Sequence, residues 1–201
     1  ALDNSELRVI PLDCSQAQVR PAGGKGLVIA PQTASPPEDG TRHMTLRDPH
    51  GQPISQVYQV VATESHVSKS GVELEGPLTF MDFSVIPPTQ AGDALVLRTQ
   101  WRVESAPERP LSLMAHLVAP GGEVVAVEDN LSYPIELWRP GDLLIQNHEW
   151  TLPSDLAPGN YILRTGAYWL DTMERWSVAS PEGSAPADAH DSIDLTTIHL
   201  P

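Results

Sequence analysis

Trp169 and Trp176 flank Asp171-Thr-Met-Glu-Arg175, a turn-like stretch, and flat aromatic surfaces beside polar groups are what stacking on a sugar ring requires. Trp169, Trp176, Asp171 and Arg175 are therefore the leading candidate ligand-binding residues, and a hairpin tip with an exposed tryptophan pair is expected to carry them. Trp138 precedes Arg139-Pro140-Gly141-Asp142 and is the next candidate. It either plugs the end of a core or projects outward, and plugging is favoured. Trp101 falls on the apolar side of its segment and is read as core.

Other chemistries find less support. The seven histidines show no compact metal-ligand spacing. His43 and His50 lie in loop-like sequence, whereas His116 and His148 are expected on outward or edge faces of strands. Glu128-Asp129-Asn130 and Asp171 to Glu174 lack the spacing of a calcium loop and read as turn-stabilising groups. Two distant carboxylates would suffice for glycoside cleavage, but nothing singles out a pair. No serine sits in Gly-x-Ser-x-Gly, and Ala22-Gly-Gly-Lys-Gly26 lacks both the spacing and the following helix of a phosphate loop. Cys14, the single cysteine, excludes an intrachain disulfide, has no identifiable base and reads as a buried, inert thiol. No catalytic residue, metal or cofactor is expected.

The elements that must carry these residues are strands. Pro and Gly number 20 and 14, and most apolar segments are short, with no long amphipathic helix, internal repeat or heptad. Residues 78–86 form a strand ended by Pro87-Pro88. In residues 94–103, Leu95, Leu97, Thr99, Trp101 and Val103 share one face, opposite Arg98, Gln100 and Arg102. Residues 111–118 turn Leu111, Leu113, Ala115 and Leu117 inward and Ser112, Met114 and His116 outward. Residues 123–128 return as a hairpin partner. Residues 143–152 and 159–170 are further strands, residues 176–178 and 193–200 close the sheets, and 180–190 is a loop. This order predicts an all-β, two-sheet antiparallel β-sandwich over residues 72–201, with immunoglobulin-like and jelly-roll connections both fitting. Residues 6–11, 25–30 and 55–62 read as strands, so 1–71 is expected to form a small β-rich N-terminal subdomain, with the boundary in polar residues 63–71.

A net charge of −14 over 201 residues argues against nucleic-acid binding, because phosphate neutralisation needs more than the 12 Lys and Arg present. It also argues against an anionic membrane surface. Neither a stretch of about 18 apolar residues nor a signal peptide is visible, so the chain itself is not expected to insert into a membrane. The abrupt start at Ala1-Leu-Asp-Asn fits a soluble portion of a longer, membrane-anchored protein.

The stretch Trp101-Arg102, His116-Leu117, Gly122 with its Val pair, Trp138-Arg-Pro140-Gly141-Asp142 and Leu152-Pro153 through Pro158-Gly159-Asn-Tyr161 into Gly166-Ala-Tyr168 resembles a known domain. That domain is the C-terminal, extracytoplasmic one of bacterial membrane glycosyltransferases related to the family-39 protein mannosyltransferases. Asp13-Cys-Ser, Val19-Arg-Pro21-Ala-Gly-Gly24 and Leu27-Val-Ile-Ala-Pro31 resemble the segment following the last membrane helix of those enzymes. The resemblance implies a β-sandwich on the extracytoplasmic face of the bacterial cytoplasmic membrane or at the cell surface, beside the membrane-embedded part of the same polypeptide. A glycan or polyprenyl-linked sugar is the implied ligand. The acidic catalytic residue of those enzymes lies in an early extracytoplasmic loop with no counterpart here, so no catalytic role carries over. The implied role is to position sugar or to brace the membrane part. A free-standing carbohydrate-binding module and a structural or protein-interaction spacer are the alternatives.

Overall fold

The structure, a computed structural model, describes residues 10, 12–13, 15–22, 25–34, 36–37, 40–61, 71–178 and 190–201. Nearly all of the expected strand 6–11, Cys14, most of the polar stretch 63–71 and nearly all of loop 180–190 lie outside these. The described chain is all β. Its strands are β1 (Ala17–Arg20), β2 (Lys25–Pro31), β3 (Thr41–Arg47), β4 (Pro53–Val61), β5 (Val72–Glu73), β6 (Leu78–Ile86), β7 (Ala94–Val103), β8 (Leu111–Val118), β9 (Val124–Val127), β10 (Leu143–Thr151), β11 (Gly159–Trp169) and β12 (Ile193–Leu200).

A five-stranded antiparallel sheet, β1-β10-β7-β6-β5, packs on a four-stranded one, β12-β11-β8-β9, as a sandwich. The third sheet, β2-β4-β3, lies outside this pair. Strand β1 comes from the N-terminal part of the chain yet is an edge strand of the sandwich, registered on β10 from Ala17 against Gln146 to Arg20 against Leu143. Strand β3 carries His43, so that histidine is on a strand and not in a loop. Its apolar content is too low for alternation to announce it.

Strand β7 alternates buried and half-buried residues from Leu95 to Val103, as its sequence pattern dictates. Strand β8 does not: every residue is buried, including Ser112, Met114 and His116 on its outer face. Asp129 lies against His116 there, and the chain entering β12 passes over Gly166, whose added Cβ would meet Met114 Sδ, Asp191 O and Ser192 Cα. Residues 176–178 make no strand. They bridge the sheets at one end instead, with Trp176 N–H donating to Ala167 O and Glu75 N–H to Ser177 O, both at 2.9 Å.

The interior holds two apolar clusters. One gathers Trp101, Leu113, Leu144 and Ala167, and the other Leu97, Leu117, Trp150 and Leu163. Between them along β7, β10 and β11 lie buried Thr99, Gln146 and Thr165. Burial of such groups is tolerated because each finds a partner. Trp101 Nε1 donates to Thr99 Oγ1 at 2.8 Å, Thr165 Oγ1 donates to Met114 O at 2.7 Å, and Gln146 Oε1 accepts from Ser132 N–H at 2.9 Å.

Candidate functional site

The hairpin following β11 brings Trp169, Asp171, Arg175 and Trp176 together, but not as an exposed aromatic pair. Trp176 is only 2 % exposed and lies on the backbone of Gly76, where an added Cβ would come within 2.4 Å of its ring. Trp169 is half-buried, tilted at 56° against Trp176 with centroids 4.8 Å apart. The Arg109 guanidinium sits 4.4 Å over the Trp169 ring and forms ion pairs with Asp171 at 3.4 Å and Glu174 at 3.6 Å. Arg175 pairs with Asp191 at 3.2 Å. The expected exposed pair is thus replaced by one buried indole and one capped by a cation, because the bridging segment carries Trp176 into the core.

Trp138 plugs the sandwich, as favoured. It is buried, stacks at 20° on Tyr133, and its Nε1 donates to Tyr133 O at 3.3 Å. The Arg-Pro-Gly-Asp motif after it is a structural turn. Gly141 has φ 85°, a left-handed conformation that favours glycine. Buried Asp142 accepts from Arg139 N–H at 3.2 Å and Ala22 N–H at 3.3 Å, tying the end of β1 to this turn.

His116 and His148 are both buried: His116 keeps the outward face expected of it but is covered there, whereas His148 turns inward, contrary to the outward or edge placement expected of it. In β10, His148 shares the inner face with Leu144, Gln146 and Trp150, all paired with inward residues of β7. Burial pushes its imidazole down to about 4, so at neutral pH it is uncharged and its Nδ1–H donates to Glu128 O at 2.8 Å. His116 Nε2 lies 2.9 Å from Asp129 Oδ1, which also accepts from Ala115 N–H at 3.1 Å.

Asp129 belongs to an open groove of about 720 Å³ on the outer face of β8 and β11. The β8–β11 register sets Ser112 opposite Tyr168, and Asp129 returns beside both. Burial alone would raise the Asp129 carboxyl, but His116, the Ala115 amide and Tyr168 outweigh it and hold the carboxyl below the usual range. Desolvation pushes the Tyr168 hydroxyl above its ordinary value. At neutral pH the groove floor thus presents an ionised acceptor, Asp129, beside a protonated phenol and a serine hydroxyl. Leu131, Ile135 and Leu170 supply apolar wall, Glu136 adds a second carboxylate, and no Lys, Arg or His lines it among the described residues. These are groups for holding hydroxyls and C–H surface, and they disfavour anions.

In the sequence Glu128-Asp129-Asn130 reads as a turn-stabilising group, and Tyr168 stands out only within the strand motif Gly166-Ala-Tyr168. Ser112 and Tyr168 carry only the polarity of a strand face opposite the core, and Asp129 only that of a connecting segment, both ordinary for exposed positions. Among the described residues no group of three His, Cys, Asp or Glu is placed to hold a metal ion. Compared with known proteins, the chain matches no family model and no curated sequence.

Proposed function

We propose that this chain is a non-catalytic, extracytoplasmic β-sandwich domain of a membrane glycosyltransferase-like protein, and that it positions glycan through the Ser112–Asp129–Tyr168 groove. The observation that carries the reading is that groove: hydroxyl, phenol and carboxylate on its floor, apolar side chains on its wall and no cation. Such a set complements a neutral sugar, whose hydroxyls exchange hydrogen bonds while its C–H faces meet apolar surface. Asp129 acts as an acceptor held ionised by its partners, which suits binding and not proton donation. The resemblance of the strand and turn motifs to the glycosyltransferase-associated domain supports the placement beside a membrane part of the same polypeptide. Among the described residues no helix is long and apolar enough to cross a membrane.

The test is a panel of neutral, amino-bearing and anionic glycans offered to the purified chain. Saturable binding of neutral glycans, weakened about tenfold by Tyr168→Phe or Asp129→Asn and unchanged by Trp169→Ala, is expected. Absence of all binding, or binding that is lost only in Trp169→Ala, overturns the reading.

A further inference from the structure

The three-stranded sheet turns an apolar face to solvent. Its register sets Leu27 with Gln59 and Thr41, Ile29 with Val57 and Met44, and Pro31 with Ser55 and Leu46, in rows on one face. Leu27 and Ile29 are 61 % and 62 % exposed, and Met44 49 %, while Val57 on the central strand is buried. The opposite face sets Gly26 with Val60, Val28 with Tyr58 and Ala30 with Gln56, and Ala30, Tyr58 and Val60 are buried there, beside Thr45 Oγ1, which donates to Gln56 Oε1 at 2.9 Å, and Gln56 Nε2, which donates to Gln32 Oε1 at 2.5 Å.

Order β2-β4-β3 leaves β2 at an edge, with no strand on its outer side among the described residues. Gln32 N–H donates to Ile54 O in continuation of the β2–β4 register. Hydrogen-bonded pairs recur every second residue in an antiparallel ladder, so Gly26, Val28 and Ala30 aim their main-chain groups at β4. Lys25, Leu27 and Ile29 aim theirs outward. The same residues that expose apolar side chains therefore turn outward donors and acceptors that no strand takes up among the described residues, which is a template for strand addition.

Charge and register fit a second copy of this chain. Residues 25–61 carry Lys25, Arg42 and Arg47 against Glu38, Asp39 and Asp48, a net charge of zero, so the excess of acid lies elsewhere in the chain. With a net charge of −14 overall, two copies approach with least repulsion through this sheet. Antiparallel pairing about a two-fold axis at Val28 sets Leu27 against the partner's Ile29 and Lys25 against the partner's Pro31, with no like charges opposed. We propose that β2 pairs with β2 of a second copy, joining two three-stranded sheets into one of six strands in a homodimer.

Sedimentation velocity of the full chain from about 1 to about 500 μM tests this. A concentration-dependent monomer–dimer equilibrium is expected. Ile29→Pro removes an outward N–H without touching the β4 ladder and should weaken the dimer at least tenfold, with circular dichroism unchanged. Leu27→Lys serves as a second variant should the proline unfold the chain, and should weaken the dimer likewise. Met44→Lys, on the far edge of the same face, should leave dimerisation intact. A monomer at every concentration, a dimer indifferent to Ile29→Pro and Leu27→Lys, or a dimer broken by Met44→Lys overturns the proposal. So does binding of the monomeric chain to phosphatidylcholine vesicles through this face.

Discussion

His116 Nε2 and Asp129 Oδ1 lie 2.9 Å apart on the outer face of β8, with the histidine buried and the carboxylate largely so. Removing either partner leaves the other desolvated and without its main contact. Asp129→Asn and His116→Ala should each destabilise the chain by about 1–3 kcal/mol in urea unfolding. Their effects should be non-additive, and additive losses in a double-mutant cycle would dismiss the coupling.

Stability should fall as acid rises, through His148. Its imidazole titrates near 4 when folded, against an ordinary value near 6.5, so between those limits the unfolded chain binds the extra proton. The resulting stability is complete above pH ~6.5 and declines toward pH ~4, by about 3 kcal/mol. His148→Leu should flatten that slope in unfolding curves measured across the interval. An unchanged slope would place the acid sensitivity elsewhere.

Gly76 leaves room for Trp176, so Gly76→Ala should cost about 1–3 kcal/mol and alter the near-ultraviolet circular dichroism. A fully tolerated alanine would mean that the indole is not seated on that backbone.

Arg109 shields Trp169, whereas Trp101, Trp138, Trp150 and Trp176 are buried. Arg109→Ala should raise acrylamide quenching of tryptophan fluorescence while changing stability by no more than about 1 kcal/mol, since its ion pairs are largely exposed. Quenching equal to that of the native chain would show that the guanidinium does not cover the ring.

Local pattern carried much of this fold. Strands β6 and β7 begin and end where alternation and the Pro87-Pro88 stop place them, because each alternates or breaks by its own chemistry. Strand β1 was hidden, since its four residues become a strand only by pairing with β10 far along the chain. The burial of His116 was hidden for the same reason: Asp129, which lies against it, arrives from after β9. Trp138 was legible as a plug because a tryptophan before a tight turn has a core within reach. Trp176 was not, since its neighbours suggest a hairpin and its burial depends on the distant Gly76. Ser112, Asp129 and Tyr168 meet only through the β8–β11 register and the return of the chain past β9.

The waist formed by Thr99, Gln146 and Thr165 bears on how the strands find their alignment. Inside–outside alternation is blind to a slip of two residues, which keeps every apolar side chain on its proper face. Such a slip along β7, β10 or β11 would take a buried hydroxyl or amide from its partner, and in one direction would put Leu97, Leu144 or Leu163 in the vacated place. The three polar groups thus act as an index mark, penalising the near-miss ladders that hydrophobicity alone would accept.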